Sequence, residues 1–168
     1  DDTQFISVMA VNNETGAIQP IYEIADAITE HCLGKRRPRF HVDAVQAIGK
    51  VPLDLSYTGI DSAAISAHKI RGPRGVGILY MKKRAEPFLR AGGQEDGLRS
   101  GTENIMGNWA FSKALEKYVN QTTQALTNSA QLERTANLIN KLKTINGCQI
   151  IPEIRGIDPN NKNYSPWI

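Results

Sequence analysis

The order of apolar and polar residues predicts a strand followed by a loop and a helix at the start of the chain. The run from Phe5 to Val11 (FISVMAV) is short and almost entirely apolar, which predicts a buried strand. The turn-forming residues Asn12 to Gly16 close that strand. Apolar residues then recur at helical spacing from Ile21 to Cys32, with Pro20 just ahead of the helix and Gly34 just after it.

Three further short apolar segments predict strands. They run from Arg39 to Val42, where Asp43 follows, from Asp61 to Ser66, and from Gly77 to Tyr80. Apolar strands that alternate with a helix and short polar loops indicate an α/β layer with a mainly parallel sheet. Ligand sites in such sheets form at the carboxyl ends of the strands, so we expect the functional residues at these ends.

The second half of the chain has a different pattern. A polar, glycine-rich segment spans Ala91 to Gly101, and a long helical stretch follows from about Met106 to Ile145, with an interruption expected near Gln121 to Thr127. Gln149 to Ile151 is predicted to be a strand, and the residues after it form a loop rich in Pro and Asn.

Composition places the chain among soluble globular proteins. Of its 168 residues 40% are hydrophobic and 22% are charged, and the net charge is +3. The basic groups Lys35 to Arg37 and Lys82 to Arg84 lie close to Gly or Pro, so we expect solvated loops there. Only 7% of the residues are aromatic, which argues against a nucleic-acid surface.

The two cysteines, Cys32 and Cys148, are far apart and form no CxxC pair, and no apolar run is long enough to cross a membrane. A reducing cytoplasm therefore fits, and each cysteine is expected to be a small buried residue. The chain begins at Asp1, enters a strand almost at once, and stops at Ile168 as another apolar segment begins. We therefore expect a fragment of a longer protein.

Lys69 is the first candidate for chemistry. It follows the strand that ends at Ser66 and lies between His68 and a glycine-rich stretch. Partial burial favours the neutral amine, which condenses with an aldehyde, and hydroxyl, imidazole and glycine N–H groups nearby can hold a phosphate. The alternative is a surface lysine in a basic loop.

Two other strand ends offer complementary groups. Asp43 and Gln46 follow one strand, where an acid can pair with a pyridinium nitrogen and keep a pyridoxal ring protonated. Asn12, Asn13 and Glu14 follow another, where an amide can reach the phenolic oxygen of that cofactor. Taken separately, Asp43 is equally explained as a helix cap and the Asn residues as a turn.

Four segments in this order, VNNETG, HVDAVQ, SAHKIRGPRGVG and GGQEDGLRSGTEN, resemble the signature segments of cysteine desulfurases in the class V aminotransferase group. The resemblance covers most of residues 6 to 110. It implies a pyridoxal 5'-phosphate enzyme with a three-layer α/β/α large domain and a small α+β domain. Residues 1–105 would then belong to the large domain, 106–145 to a connecting helical region and 146–168 to the start of the small domain.

The resemblance also implies roles for individual residues. Lys69 would hold the cofactor as a Schiff base and, with His68, act in catalysis, while Asp43 would pair with the ring nitrogen. Asn13 and Gln46 would contact the phenolic oxygen.

Phosphate binding is implied for the remaining residues. Ser66 and His68 would bind the phosphate of the same subunit, and Gly101 and Thr102 would reach that of the partner subunit, so a homodimer is expected.

The implied reaction converts L-cysteine to L-alanine and leaves the sulfur as a persulfide on a catalytic cysteine. The sulfur then passes to acceptor proteins for iron-sulfur cluster assembly or tRNA thiolation. Neither Cys32 nor Cys148 matches the position of that cysteine, and the glycine-and-threonine turn and ring-stacking histidine of the family are not found. This chain alone is expected to lack turnover.

Several alternatives stay open. A selenocysteine lyase, an aminotransferase of the same group, or a non-catalytic binding module with the same fold would share these segments. Arg71, Arg74 and Arg99 are candidates for binding the substrate carboxylate. His41, Asp43 and His68 lack the close spacing of a zinc site, and Gly49-Lys50 is followed by Val51 and so does not match a P-loop. No metal is expected.

Overall fold

In the computed structural model, which describes residues 2–125, 129–158, 160–166 and 168, the strands form one sheet in chain order. The described strands are β1 (Phe5–Met9), β2 (Arg39–Asp43), β3 (Ser62–Ser66) and β4 (Gly77–Met81). β1, β2 and β3 run parallel, whereas β4 is antiparallel to β3. The predicted α/β class with a mainly parallel sheet is confirmed.

The central strands contain several completely buried residues. Phe40 and Val42 of β2 and Ala63 of β3 have no exposed surface. They belong to one core cluster that also contains Ile21 and Ala25 of the first helix. Burial of the larger side chains, Phe40, Val42 and Ile21, stabilises the folded state by about 1.5–3 kcal/mol each, so this cluster holds the sheet and helix together.

The described helices are α1 (Ile21–His31), α2 (Ile105–Ala125), α3 (Ser129–Lys143) and the short α4 (Glu153–Ile157). The predicted helical stretch contains α2 and α3. Of the interruption expected near Gln121 to Thr127, residues 121–125 continue α2, and residues 126–128 lie outside the described residues. α2 begins after Asn104, whose side-chain oxygen accepts a hydrogen bond from Gly107 N–H at 2.9 Å. No helix in the described part of the chain is long and apolar enough to cross a membrane.

The prediction of a strand at Gln149 to Ile151 is wrong. This segment is irregular and leads directly into α4. A strand requires a neighbouring strand for its backbone hydrogen bonds, and the sheet of the described residues ends at β1 and β4. Cys148, predicted to be buried beside that strand, is exposed, while Cys32 at the end of α1 is half-buried.

The basic segment after α1 is not simply a solvated loop. The guanidinium of Arg37 forms an ion pair with Asp61 at 2.7 Å, and it also donates to the carbonyl oxygen of Gly59. Asp61 in turn accepts from Phe40 N–H at 2.8 Å. Arg37 therefore connects the entrance of β2 to the entrance of β3, although Lys35 and Arg36 are exposed as expected.

The C-terminal segment returns to the loop after β1. Asn163 accepts a backbone hydrogen bond from Ile18 at 2.8 Å, and Ser165 donates one to Gly16 at 2.8 Å. Tyr164 and Ala17 form an isolated antiparallel bridge between these hydrogen bonds. Residues 163–165 are therefore hydrogen-bonded to the loop after β1, which contains the VNNETG segment.

Candidate active site

The carboxyl ends of β1, β2 and β3 meet at one edge of the sheet. Asp43, the last residue of β2, lies opposite Met9 of β1 and Ala64 of β3. Backbone hydrogen bonds continue past the strand ends, from Ala10 N–H to Asp43 O at 2.9 Å and from Ala44 N–H to Ala64 O at 3.0 Å. The three predicted loops therefore emerge side by side.

Lys69 lies on a short 3-10 helix, Ala67–Ile70, that begins where β3 ends. Ala67 and Ile70 are buried and anchor this turn, while Lys69 is half-buried. Gly72 N–H donates to Ala67 O at 2.9 Å, and a Cβ at Gly72 would lie 2.9 Å from the same oxygen, so only glycine allows this closure. The glycine-rich sequence after Lys69 thus fixes the position of the lysine.

Ser66 and His68 come together beside Lys69. The Ser66 hydroxyl and Nδ1 of His68 are hydrogen-bonded at 2.7 Å, and the His68 side chain is exposed. A hydroxyl and an imidazole that share one hydrogen bond at the edge of a sheet can both donate to an anion when the imidazole is protonated. The two residues that are expected to bind the phosphate therefore lie side by side at the end of β3.

Asp43 is half-buried at the centre of the strand ends. One carboxylate oxygen accepts a hydrogen bond from Val45 N–H at 2.9 Å, which starts the turn after β2. The other oxygen accepts no hydrogen bond from the described residues. No helix lies between Asp43 and β3 in the described residues, so this hydrogen bond closes a turn and is not the helix cap that was considered as an alternative. The second oxygen is left for a donor such as a protonated ring nitrogen.

Gln46 is nearly completely buried, with 6% of its surface exposed. Its side-chain oxygen accepts a hydrogen bond from the ammonium group of Lys50 at 2.6 Å. Burial lowers the pKa of Lys50, and the positive charge of Lys69 lowers it further. Sequence reasoning missed Lys50 as a site residue. Its position four residues after Gln46 could have indicated the contact, because residues four apart in a helical turn are neighbours.

The loop after β1 is organised by Asn12 rather than by Asn13. The Asn12 side-chain oxygen accepts from Glu14 N–H at 2.9 Å and from Thr15 N–H at 2.8 Å, which is the turn expected from the sequence. Asn13 is exposed and its side chain forms no hydrogen bond with described residues. The turn therefore presents Asn13 to solvent near the strand ends.

Thr102 lies outside this group. It is exposed in the segment before α2, and no hydrogen bond joins it to the other candidate residues in the described part of the chain. Arg74 and Arg99 are also exposed. Arg71 has a left-handed backbone (φ 61°), and its guanidinium lies 5.5 Å from the ring centroid of Tyr118 on α2.

The possible metal ligands do not converge. Nδ1 of His41 is hydrogen-bonded to the Ser62 hydroxyl at 2.8 Å, whereas His68 is bonded to Ser66. Among the residues that the structure describes, no three His, Cys, Asp or Glu side chains are grouped as metal ligands would be.

The donor set fits pyridoxal phosphate. Two groups follow β2: a carboxylate with a free oxygen, which suits the ring nitrogen, and a buried amide, which suits the phenolic oxygen. Two more follow β3: a half-buried amine, which suits the aldehyde, and a hydroxyl–imidazole pair, which suits the phosphate. Asn13 lies on the third strand end.

Comparisons with known proteins give a consistent result. A model of the aminotransferase class-V family matches residues 1–163. A cysteine desulfurase of Nostoc is 38% identical over 165 residues, which cover 96% of this chain and 40% of the relative. A mitochondrial cysteine desulfurase of Arabidopsis thaliana is 50% identical over 119 residues, covering 68% of this chain and 25% of the relative.

A solved structure of a NifS-like protein superimposes with a TM-score of 0.71 at 38% identity, over 86% of this chain and 38% of that one. The chain thus spans about two fifths of the length of the Nostoc relative.

Proposed function

Because the chain belongs to the aminotransferase class-V family, whose cysteine desulfurases it resembles, we propose that it forms part of the pyridoxal phosphate site of a cysteine desulfurase. The observation that supports this most directly is that Asp43 and Gln46 follow β2 while Lys69 follows the adjacent parallel strand β3, at the same edge of the sheet. The cofactor, when bound, supplies an electron sink for the chemistry at the substrate.

Each residue of the chain has a defined task in this proposal. The carboxylate of Asp43 holds a proton on the ring nitrogen, and the Gln46 amide donates to the phenolic oxygen with help from Asn13. Lys69 supplies the amine that attaches the aldehyde, and its place on the 3-10 helix orients it. Ser66 and His68 donate to the phosphate.

The substrate is L-cysteine, whose carbon–sulfur bond is broken to give L-alanine while the sulfur is retained as a persulfide on a cysteine. We propose that this cysteine is neither Cys32 nor Cys148, and that the 168-residue chain by itself shows no turnover. Turnover that is abolished by Cys148→Ala would contradict this placement.

Partners and location complete the proposal. Sulfur passes to acceptor proteins such as an iron-sulfur scaffold, and a homodimer brings Thr102 to the phosphate of the partner subunit. Residues 1–105 form part of the large domain, 106–145 the connecting region and 146–168 the start of the small domain. Two free cysteines agree with a reducing compartment, for which we propose the cytoplasm.

The first test is the visible absorption spectrum of the chain after incubation with pyridoxal phosphate. We expect an absorption band that survives gel filtration and is lost in Lys69→Ala. Lys83→Met, which changes an exposed lysine on the loop after β4, should retain the band. A band in the wild type that persists in Lys69→Ala would refute the assignment of Lys69.

The reaction itself is tested on a protein of the relatives' full length that contains these residues. Release of alanine and of sulfur from L-cysteine in equal amounts is expected. Transamination without sulfur release, or activity on selenocysteine alone, would contradict the desulfurase proposal and favour another member of the family.

A further inference from the structure

Lys50 has no role in the proposed mechanism, yet it occupies a distinctive position. Its ammonium group lies 2.6 Å from the side-chain oxygen of Gln46, and Gln46 is among the most buried polar residues described. Lys50 itself is half-buried, and the charge of Lys69 acts on it. This lysine therefore contacts a residue that is proposed to bind the cofactor ring.

The chemistry of the two side chains fixes the orientation of the Gln46 amide. An ammonium group has three donors and no acceptor, so the atom of Gln46 that faces Lys50 must be the oxygen. The amide nitrogen, Nε2, is then at the other end of the planar group and offers two donors. It donates to no acceptor among the described residues.

In the described residues, only Nε of Arg37 is a fully buried side-chain nitrogen or oxygen without a partner, so Nε2 of Gln46 reaches the surface and can donate to a ligand there. The reverse amide orientation would place the carbonyl oxygen at that point and two N–H groups against the ammonium group. Such an arrangement would repel both Lys50 and an anionic oxygen of a ligand. The orientation of Gln46 is therefore decided by Lys50.

We propose that Lys50 is a positioning residue that holds the Gln46 amide with its NH₂ group toward the phenolic oxygen of pyridoxal phosphate. This inference rests on the proposed function, since it assigns the ligand of Gln46 from it. The turn that contains both residues supports it, because Ala47 N–H, Ile48 N–H and Lys50 N–H all donate within residues 44–50. The backbone thus keeps the two side chains on one face.

The first part of the test needs no cofactor. NMR signals of the Gln46 side-chain amide are recorded in the wild type, in Lys50→Met and in Lys83→Met. We expect the Gln46 signals to shift in Lys50→Met and to stay unchanged in Lys83→Met. Unchanged Gln46 signals in Lys50→Met would overturn the inference, whether or not the chain binds pyridoxal phosphate.

The second part uses pyridoxal phosphate itself. Lys50→Met is expected to weaken binding about tenfold, the loss typical of a charge-assisted hydrogen bond, and Lys50→Arg to restore most of it because guanidinium also only donates. In a Gln46→Leu background, Lys50→Met should change the affinity by less than about twofold. An equal tenfold loss in both backgrounds would show that Lys50 does not act through Gln46.

The two parts separate this inference from the proposed function. If the Gln46 signals shift in Lys50→Met as expected but the wild-type chain gives no Lys69-dependent band, the result counts against the proposed function alone. A Lys69-dependent band without any effect of Lys50→Met on Gln46 counts against the inference alone.

Discussion

The guanidinium of Arg155 donates to the backbone oxygen of Thr15 at 2.7 Å, across 140 positions of sequence. It also donates to Ser165 O at 3.0 Å and lies 5.7 Å from the ring centroid of Tyr164. Only 7% of Arg155 is exposed. One arginine of the short helix α4 thus fixes the loop that presents Asn13.

Arg155→Met is expected to lower the free energy of unfolding by about 2–4 kcal/mol, because the carbonyl oxygens of buried Ser165 and half-buried Thr15 each lose a charged donor. Arg134→Met, an exposed arginine on α3, should change it by less than about 0.5 kcal/mol. Chemical denaturation with both variants measures the difference. Equal effects of the two substitutions would contradict a role for Arg155 in joining these segments.

Gly49 and Gly34 form a matched pair for testing the contact between the turn after β2 and α2. Both have positive φ, 68° and 74° respectively. A Cβ at Gly49 would lie 3.2 Å from Ile70 and 3.3 Å from Tyr118, whereas nothing lies within 4 Å at Gly34. Only the first position adds crowding to the backbone strain.

Gly34→Ala is expected to destabilise the protein by about 1 kcal/mol from backbone strain alone. Gly49→Ala should lower stability by about 1–3 kcal/mol more, and it should also weaken pyridoxal phosphate binding because Lys50 is the next residue. Thermal unfolding and the absorption band provide the two measurements. A similar loss of stability in Gly34→Ala and Gly49→Ala would contradict a tight contact between Gly49 and α2.

Asp61 predicts a pH dependence of stability. Burial of its carboxylate raises the pKa, but hydrogen bonds from Phe40 N–H and Arg37, together with the charge of Arg37, outweigh burial and lower the pKa overall. A group with a lowered pKa in the folded state stabilises it fully above the unfolded pKa of about 3.9. That stabilisation is lost as the pH falls below this value toward the folded pKa.

Urea unfolding between pH 7 and pH 2 should therefore show stability that decreases at the acidic end, with a smaller decrease in Asp61→Asn. Glu133→Gln, an exposed acid on α3, serves as the control and should follow the wild type. An unchanged acid profile in Asp61→Asn would refute the importance of the Arg37–Asp61 pair.

The hydroxyl of Ser66 is expected to contribute directly to phosphate binding. Ser66→Ala should weaken the binding of pyridoxal phosphate by about 10- to 100-fold, as expected for a hydrogen bond to a charged group. Ser112→Ala, an exposed serine on α2, should leave binding unchanged. If pyridoxal, which lacks the phosphate, loses affinity in Ser66→Ala by the same factor, the hydroxyl does not contact the phosphate.

The sequence predicted the parts of the fold that depend on local patterns. The apolar runs of β1, β2 and β3 and the helical spacing from Ile21 placed these elements within two residues of their observed ends, because burial of one face determines such periodicity. The places of Asp43 and Ser66 at strand ends followed directly from the predicted ends of β2 and β3. Parallel pairing then brought them to one edge.

Relationships between distant residues could not be predicted. The pair of Arg37 and Asp61 and the contact of Arg155 with Thr15 depend on tertiary packing, for which no local pattern exists. The predicted strand at Gln149 to Ile151 failed for the same reason, since apolar character alone cannot provide a neighbouring strand. The role of Lys50 was missed because its partner Gln46 was considered only as a cofactor contact.

The antiparallel arrangement of β4 has a consequence for the order in which the protein folds. Ser66 pairs with Gly77 across a short connection, whereas β1 reaches β2 only after the whole of α1. Closing a short loop is faster and costs less chain entropy than forming a parallel crossover. We therefore expect the β3–β4 hairpin, which includes Lys69 in its connection, to be among the first parts of the sheet to form, before Asp43 and Asn13 arrive beside it.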